Sequence, residues 1–340
     1  MQRMMLIGPG EVRWESCPDP VLSGAAAAIV RPLTVATCDI DIAALRGTYP
    51  LHGPYPFGHE GIAEVVSVGD QVTQFESGDI VVVPFQISCG TCPPCRRGRT
   101  GNCASHPRMS TFGLGTMGGL QWGGLLADLA LVPHADAMLV NVPPEVSPIA
   151  AASVSDNIPD AWRAVGPQLA TDPAAEVLVI GGDGGPNSIG LYAVGIAVAL
   201  GASRVVYLDP DPERLSIAVA YGADVIDSTP PAKAGTFPVT VNASGTYEGL
   251  HCALNSTASD GSCTSTSVYL TDPTLPMFAM YARCCTLHTG RAHVRPAIPI
   301  LLQLIKAGFD PNIVTTRTAP WDDAVAALSD PPLKLVLHRQ

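Results

Sequence analysis

The sequence predicts an α/β protein in two parts: a β-rich unit over residues 1–150, completed by residues 290–340, and a doubly wound parallel sheet over residues 151–289. Three observations predict it. Residues 1–150 carry short apolar runs bounded by Gly, Pro and Asp turns. From Glu176 onward, apolar strands alternate with helical stretches. A glycine-rich loop joins the first of those strands to its helix.

Composition narrows the class. Apolar residues make up 47% and charged residues 14%, a globular balance far from that of disordered chains. A length of 340 residues suits two cores rather than one. The formal net charge is -11, with 16 arginines, 3 lysines and no basic stripe, which argues against nucleic acid or anionic membrane as partners. The opening nine residues hold no apolar run long enough for a signal peptide, and the apolar segment 24–30 is only a strand's length. The ten cysteines therefore read as reduced or metal-bound thiols of a cytoplasmic protein.

In the first part, residues 26–30, 63–68 and 80–83 read as strands of a partly closed β-barrel-like unit, with Ser77-Gly78-Asp79 turning into the last. Its loops carry the chemistry. Pro56-Phe57-Gly58-His59-Glu60-Gly61 sets an imidazole beside a carboxylate between two glycines. Cys38 lies upstream in Thr37-Cys38-Asp39-Ile40-Asp41, and Asp156 downstream in Ser153-Val154-Ser155-Asp156-Asn157. One thiolate, one imidazole and one carboxylate give zinc three ligands and an open fourth position. Cys89, Cys92, Cys95 and Cys103 fall within fifteen residues, enough for a closed structural zinc site in a loop poor in large apolar residues. A set of unbonded thiols or a redox pair is the other reading.

In the second part, Val177-Leu178-Val179-Ile180 is a fully apolar strand running into the loop 181–190, with a helix over 190–200 stopped by Gly201. Pyrophosphate needs close backbone approach at a helix N-terminus, so Gly181, Gly182, Gly185, Ser188, Ile189 and Gly190 are candidate cofactor contacts. Counting back from Gly190, Gly185 matches the first glycine of G-x-G-x-x-G, but Asn187 occupies the second and the loop is longer than that pattern. Asp209 ends the next strand, 204–208, where a carboxylate accepts from ribose hydroxyls. This predicts NAD over NADP, with Arg204 and Arg214 near enough in sequence to blunt repulsion of a 2'-phosphate. A glycine-rich connection without a ligand is the bland alternative. A helix after Pro212, strands at 224–226 and 238–242, a helix over 248–256, a turn at Asp260-Gly261, a strand over 262–269 and a buried strand at 284–288 complete the sheet. Helices at 299–307 and 321–328 and a strand at 333–337 are expected to return to the first part.

Taken together, these residues resemble the zinc-containing medium-chain dehydrogenase/reductase family of alcohol and polyol dehydrogenases. The resemblance spans essentially the whole chain and rests on Gly58-His59-Glu60, the four-cysteine lobe and the nucleotide half from Val177. It implies a GroES-like catalytic domain and a Rossmann domain, two zinc ions per chain, hydride transfer between an alcohol or carbonyl substrate and NAD(H), and a homo-oligomer, dimer or tetramer. Carried over residue by residue, Cys38, His59 and Asp156 match the catalytic zinc ligands, and Glu60 the neighbouring carboxylate that exchanges with water at the metal. Asp41 matches the acid that orients the His59 ring. Asp156 also fits a helix N-cap before Asn157-Ile158-Pro159, and Cys38 a buried thiol. His52, His106, His134, His251, His288 and His293 show no ligand spacing. One position departs: where the family usually has a proton-passing Ser or Thr, this chain has Ile40, and Ala43 stands at the following relay position. That leaves open altered zinc chemistry, such as a dismutase or reductase, and a nucleotide-binding protein without turnover.

Overall fold

The computed structural model describes residues 1–339. They form two compact units. One comprises Met1–Pro159, Ala292–Lys306 and the segment from Thr315; the other comprises Asp160–Arg291 and Ala307–Val314. In the first lie β1 (Gln2–Gly8), β2 (Glu11–Ser16), β3 (Ala28–Ala36), β4 (Tyr55–Pro56), β5 (Glu60–Val68), β6 (Ile80–Val83), β7 (Ala130–Val132) and β8 (Val140–Asn141). The second holds β9 (Glu176–Ile180), β10 (Arg204–Asp209), β11 (Asp224–Asp227), β12 (Phe237–Asn242), β13 (Thr257–Ser265) and β14 (Thr286–His288). The chain then adds β15 (Arg317–Pro320) and β16 (Leu335–His338) to the first unit.

The larger sheet of the first unit runs β15-β16-β3-β5-β6-β8, with β7 also on β3; β2-β1-β4 form a separate small sheet. Pro32 sits inside β3 opposite Ala63 of β5, beside a register shift between Pro32 and Thr34. β16 pairs antiparallel with β3, Val336 opposite Ala36 and Leu337 opposite Val35. That pairing sets residue 334 beside Thr37, whose hydroxyl accepts from Leu335 N at 3.1 Å.

The second unit's sheet runs β11-β10-β9-β12-β13-β14, and every pairing is parallel. This is the doubly wound order 3-2-1-4-5-6, whose crevice lies at the carboxyl ends of β9 and β12. Val177 to Ile180 are each 0% exposed, as expected of a parallel strand covered on both faces. The helices Asn187–Ala199, Pro212–Ala220 and Tyr247–Ser256 supply the crossovers. No helix among the described residues is long and apolar enough to cross a membrane.

Several elements differ from the sequence-based expectation. The helix after the glycine loop starts at Asn187 rather than Gly190, one turn early. Asp260-Gly261 is no turn: β13 runs through it from Thr257, with Asp260 at φ 57 absorbing a register shift as a bulge. Cys284 is exposed and left-handed (φ 54) at the C-terminal end of the helix Met277–Arg283, so the cysteine pair does not lie in a buried strand. The helix expected at 299–307 is Val294–Lys306, with Pro299 inside it.

Candidate functional site

The first cluster is built at the ends of β3 and β5. Beyond β3 the chain turns into the short helix Asp39–Leu45, capped by Cys38, whose N–H donates to Asp41 Oδ2 at 3.0 Å. His59 immediately precedes β5 and Glu60 opens it. Gly58 precedes them at φ 88, a conformation that favours glycine, and a Cβ there would lie 3.0 Å from Leu126 N. Gly61 follows, where a Cβ would meet Thr34 O of β3 at 2.7 Å. The two glycines thus let the imidazole and carboxylate enter a tightly packed corner. Asp156 arrives on the turn before the helix Asn157–Thr171, and Ser155 Oγ anchors that turn by accepting from Gly61 N at 2.8 Å.

One ligand atom each from Cys38, His59, Glu60 and Asp156 lies within 4.8 Å of the others. All four residues are buried; His59 and Glu60 are 0% exposed. His59 Nε2 is 3.3 Å from Asp156 Oδ2, and its Nδ1 is 3.4 Å from Asp41 Oδ1. Asn157 Nδ2 donates to Cys38 Sγ at 3.3 Å. Lys334, entirely buried, donates to Glu60 Oε2 at 2.8 Å and to Thr37 O and Asn157 Oδ1 at 2.6 Å each. The ring of Phe85 lies 5.6 Å from that of His59 and gives the pocket an apolar wall.

The electrostatics follow from crowding four acidic groups into a dry corner with one imidazole and one ammonium. Burial pushes the Cys38 thiol well up, with Asp156 and Glu60 adding to it. Burial also raises Glu60, to about 8, against the pull of Lys334. Asp41 is raised by burial, partly offset by His59. For His59 burial lowers the pKa, but Asp41 and Asp156 outweigh it and lift the ring to about 9. Glu60 Oε1 is buried without a hydrogen bond. A soft thiolate, an imidazole and carboxylates short of positive charge suit a zinc ion.

The second cluster is the cysteine lobe. The sulfurs of Cys89, Cys92, Cys95 and Cys103 also lie within 4.8 Å of one another, and Cys92 Sγ is 3.9 Å from Cys103 Sγ. Tetrahedral Zn–S bonds of about 2.3 Å require sulfurs about 3.8 Å apart, so the spacing fits the metal. Backbone N–H groups of Cys89, Cys92 and Ala104 donate to Cys103, Cys89 and Cys92 sulfurs, each at 3.4 Å, as suits thiolates. Burial raises the Cys89 thiol, but bonds from Ser105, Thr91 and the Cys92 N–H outweigh it and hold it near 5. Cys95, raised by burial and by Cys92, stands at about 12. His106 and His134, which show no ligand spacing in the sequence, meet with Nε2 atoms 2.8 Å apart, beside Trp122.

In the second unit the glycine loop leaves β9 at Gly181, whose N–H donates to Leu208 O at 2.8 Å. A Cβ on Gly185 would fall 1.7 Å from Ala243 O, so that glycine is needed for packing against the segment after β12. Gly190, Ser188 and Ile189 lie buried in the first turn of the helix, and Gly182 lies in the loop before it. Asp209 ends β10 and is 0% exposed. Its Oδ1 accepts from Asp211 N at 2.9 Å and Arg214 Nη2 at 2.6 Å; its Oδ2 accepts from Tyr207 Oη at 2.7 Å and Arg214 Nε at 2.9 Å. Arg204, by contrast, is at the opposite end of β10, paired with Asp224 at 2.8 Å.

Residues 24–144 match the family model of the alcohol dehydrogenase GroES-like domain. The alcohol dehydrogenase from Thermus sp. ATN1 superposes with a TM-score of 0.87 at 26% identity, covering 100% of both chains. A Mycobacterium tuberculosis protein named "Probable zinc-binding alcohol dehydrogenase" is 30% identical over 334 residues, 95% of this chain and 83% of its own length. This chain belongs to the zinc-containing medium-chain dehydrogenase/reductase family. The glutathione-independent formaldehyde dehydrogenase of Pseudomonas aeruginosa is a further relative, 30% identical over 237 residues, or 66% of this chain and 58% of that enzyme.

As a family member the protein is a zinc-dependent oxidoreductase that uses a nicotinamide cofactor and small-molecule substrates. Both thiol-containing clusters fit the zinc that the family implies. The residues missed in the sequence are Lys334 and Asn157. Lys334 left a signal: it is one of 3 lysines and interrupts the apolar run 333–337. Its partners Thr37 and Glu60 stand 297 and 274 residues away, beyond any local pattern.

Proposed function

We propose that Cys38, His59 and Asp156 hold a catalytic zinc, with Glu60 as an exchanging fourth ligand, and that the protein oxidises alcohols or reduces carbonyl compounds with NAD(H). The observation that carries this reading is the buried convergence of those four ligand atoms within 4.8 Å. Zinc held there would supply Lewis-acid polarisation of a substrate oxygen, and a bound nicotinamide would supply the hydride chemistry. Asp41 fixes the His59 ring through Nδ1, so that Nε2 faces the ligand cluster. The Asn157 N–H on Cys38 Sγ stabilises the thiolate. Lys334 holds one Glu60 oxygen and leaves Oε1 free of donors; we assign Oε1 as the acceptor for a substrate hydroxyl proton. Ile40 has no atom for that task. The favoured substrate is then bulkier than a small primary alcohol or carries its own polar group. Cys89, Cys92, Cys95 and Cys103 would hold a second, structural zinc.

The glycine loop and the helix Asn187–Ala199 are assigned to the dinucleotide, with Asp209 beside them engaged by Arg214 and Tyr207 rather than by the ribose hydroxyls. NAD is favoured over NADP because Asp183, Asp209 and Asp211 outnumber Arg214 at the end of β10. Family membership also supports a homo-oligomer, dimer or tetramer, which the particle mass in solution tests.

The test combines metal analysis with a screen of alcohols and aldehydes, formaldehyde included, with NAD(H). Two zincs per chain and substrate-dependent change in NADH absorbance are expected. Asp156→Ala is expected to remain folded with one zinc and no turnover; full metal and full turnover in that variant would overturn the ligand assignment.

A further inference from the structure

We propose that Asp183, in the lengthened glycine loop, sets cofactor choice by holding the outward edge of Arg214 away from the 2'-phosphate of NADP. The inference rests on the assignment of this loop to a nicotinamide dinucleotide. An ionised carboxylate offers about four acceptor positions, and the four of Asp209 are filled by Arg214, Tyr207 and Asp211. Asp209 also lies against the start of the loop, for a Cβ on Gly181 would fall 2.1 Å from its Oδ2. The acid that ordinarily repels a 2'-phosphate is therefore both saturated and neutralised by its own arginine.

An arginine at this place is the group that accommodates a 2'-phosphate in NADP enzymes, through paired N–H donors. Here the arginine is not available for that. Arg214 Nη2 donates to Asp209 Oδ1 and, at 2.8 Å, to Asp183 Oδ1, while Nη1 lies 3.5 Å from Asp211 Oδ2. The Arg214 side chain is 9% exposed and that of Asp183 83% exposed, so Asp183 is the solvent-side partner on the guanidinium. A 2'-phosphate approaching Arg214 meets that carboxylate first and must displace it; a 2'-hydroxyl meets no such charge conflict. An exposed ion pair adds little to folding, so removing Asp183 changes recognition rather than stability.

Nicotinamide fluorescence titrations of NADH and NADPH on wild type, Asp183→Ala and Asp183→Asn test this without turnover, with 2'-phosphorylated AMP as a competitor. In both variants the ratio of the NADPH to the NADH Kd is expected to fall about fivefold to tenfold. Adding Arg214→Ala to Asp183→Ala should abolish that gain. Circular dichroism and unfolding midpoints matching wild type establish that the variants are folded. If wild type binds NADH and neither Asp183 variant changes the ratio, the specificity role is overturned while the nucleotide site stands. If wild type binds neither dinucleotide, the nucleotide site and the inference fall together.

Discussion

Removing the Lys334 ammonium leaves the Glu60 carboxylate buried without its counter-charge, and takes a donor from Thr37 O and Asn157 Oδ1. Breaking a buried pair this way costs about 3–5 kcal/mol. Lys334→Met is therefore expected to lower the denaturant midpoint sharply, and Lys334→Met with Glu60→Gln to recover part of the loss. Equal midpoints for the single and double variants would show that Glu60 does not depend on Lys334. Ile40 gives a second test at this scale. If the absent hydroxyl limits the reaction, Ile40→Thr raises the rate on simple alcohols and changes its pH dependence, within the range of about 100-fold to 10,000-fold typical of positioned proton transfer. Fast wild-type oxidation of ethanol-sized alcohols, unchanged by Ile40→Thr, would exclude it. Cys38, His59, Glu60 and Asp156 were legible because each is a chemically unusual residue in a short, recognisable setting. Asn157 was not, because an amide beside a helix start reads as local structure until its partner Cys38, 119 residues away, is seen.

Elements were legible where their hydrophobic pattern is unambiguous, as in Val177–Ile180, and misread where backbone devices intervene. Asp260-Gly261 carries the composition of a turn, yet the neighbouring β12 holds it in β13 as a bulge. Pro299 suggests a helix start, but in the structure it lies inside a helix begun at Val294. Gly58→Ala tests the corner that presents His59. With φ at 88 and Leu126 Cγ and N at 3.0 Å from the added Cβ, the substitution is expected to cost about 1–3 kcal/mol, read as a lower unfolding midpoint. The cysteine lobe is tested by Cys92→Ser, expected to remove one zinc and reduce thermal stability because the metal organises a loop with little apolar core. Retention of two zincs would contradict the four-sulfur site.

Over the whole molecule, pH acts through carboxylates tied between distant segments. Asp128 accepts from Gln2 N at 2.6 Å and Arg339 Nη2 at 3.0 Å. Burial raises its pKa, but these donors outweigh it and hold the folded value below the ordinary one. A depressed folded pKa gives stability that is present above the unfolded value, about 3.9, and is lost as pH falls through the folded value. Asp128→Asn is thus expected to lower the melting temperature slightly at pH near 7, with the difference from wild type vanishing in strong acid; the side chain is 40% exposed, so the effect is small. A constant difference across that range would refute the ion-pair origin.

Lys334 reaches Thr37 and Glu60, already neighbours through the β3–β5 pairing, only because β16 returns to β3, and this suggests an order of assembly. Fourteen residues separate Cys89 from Cys103, so the cysteine lobe can close while most of the chain is still unmade. The corner around Glu60 gains its counter-charge only when the end of the chain is made, since the Lys334 ammonium arrives 274 residues after the carboxylate it balances. If both clusters hold zinc as proposed, the four-sulfur site is expected to bind its ion before the buried Cys38–His59–Glu60–Asp156 corner does. A nascent chain stalled before residue 330 should carry one zinc, and release of the full chain should bring the second.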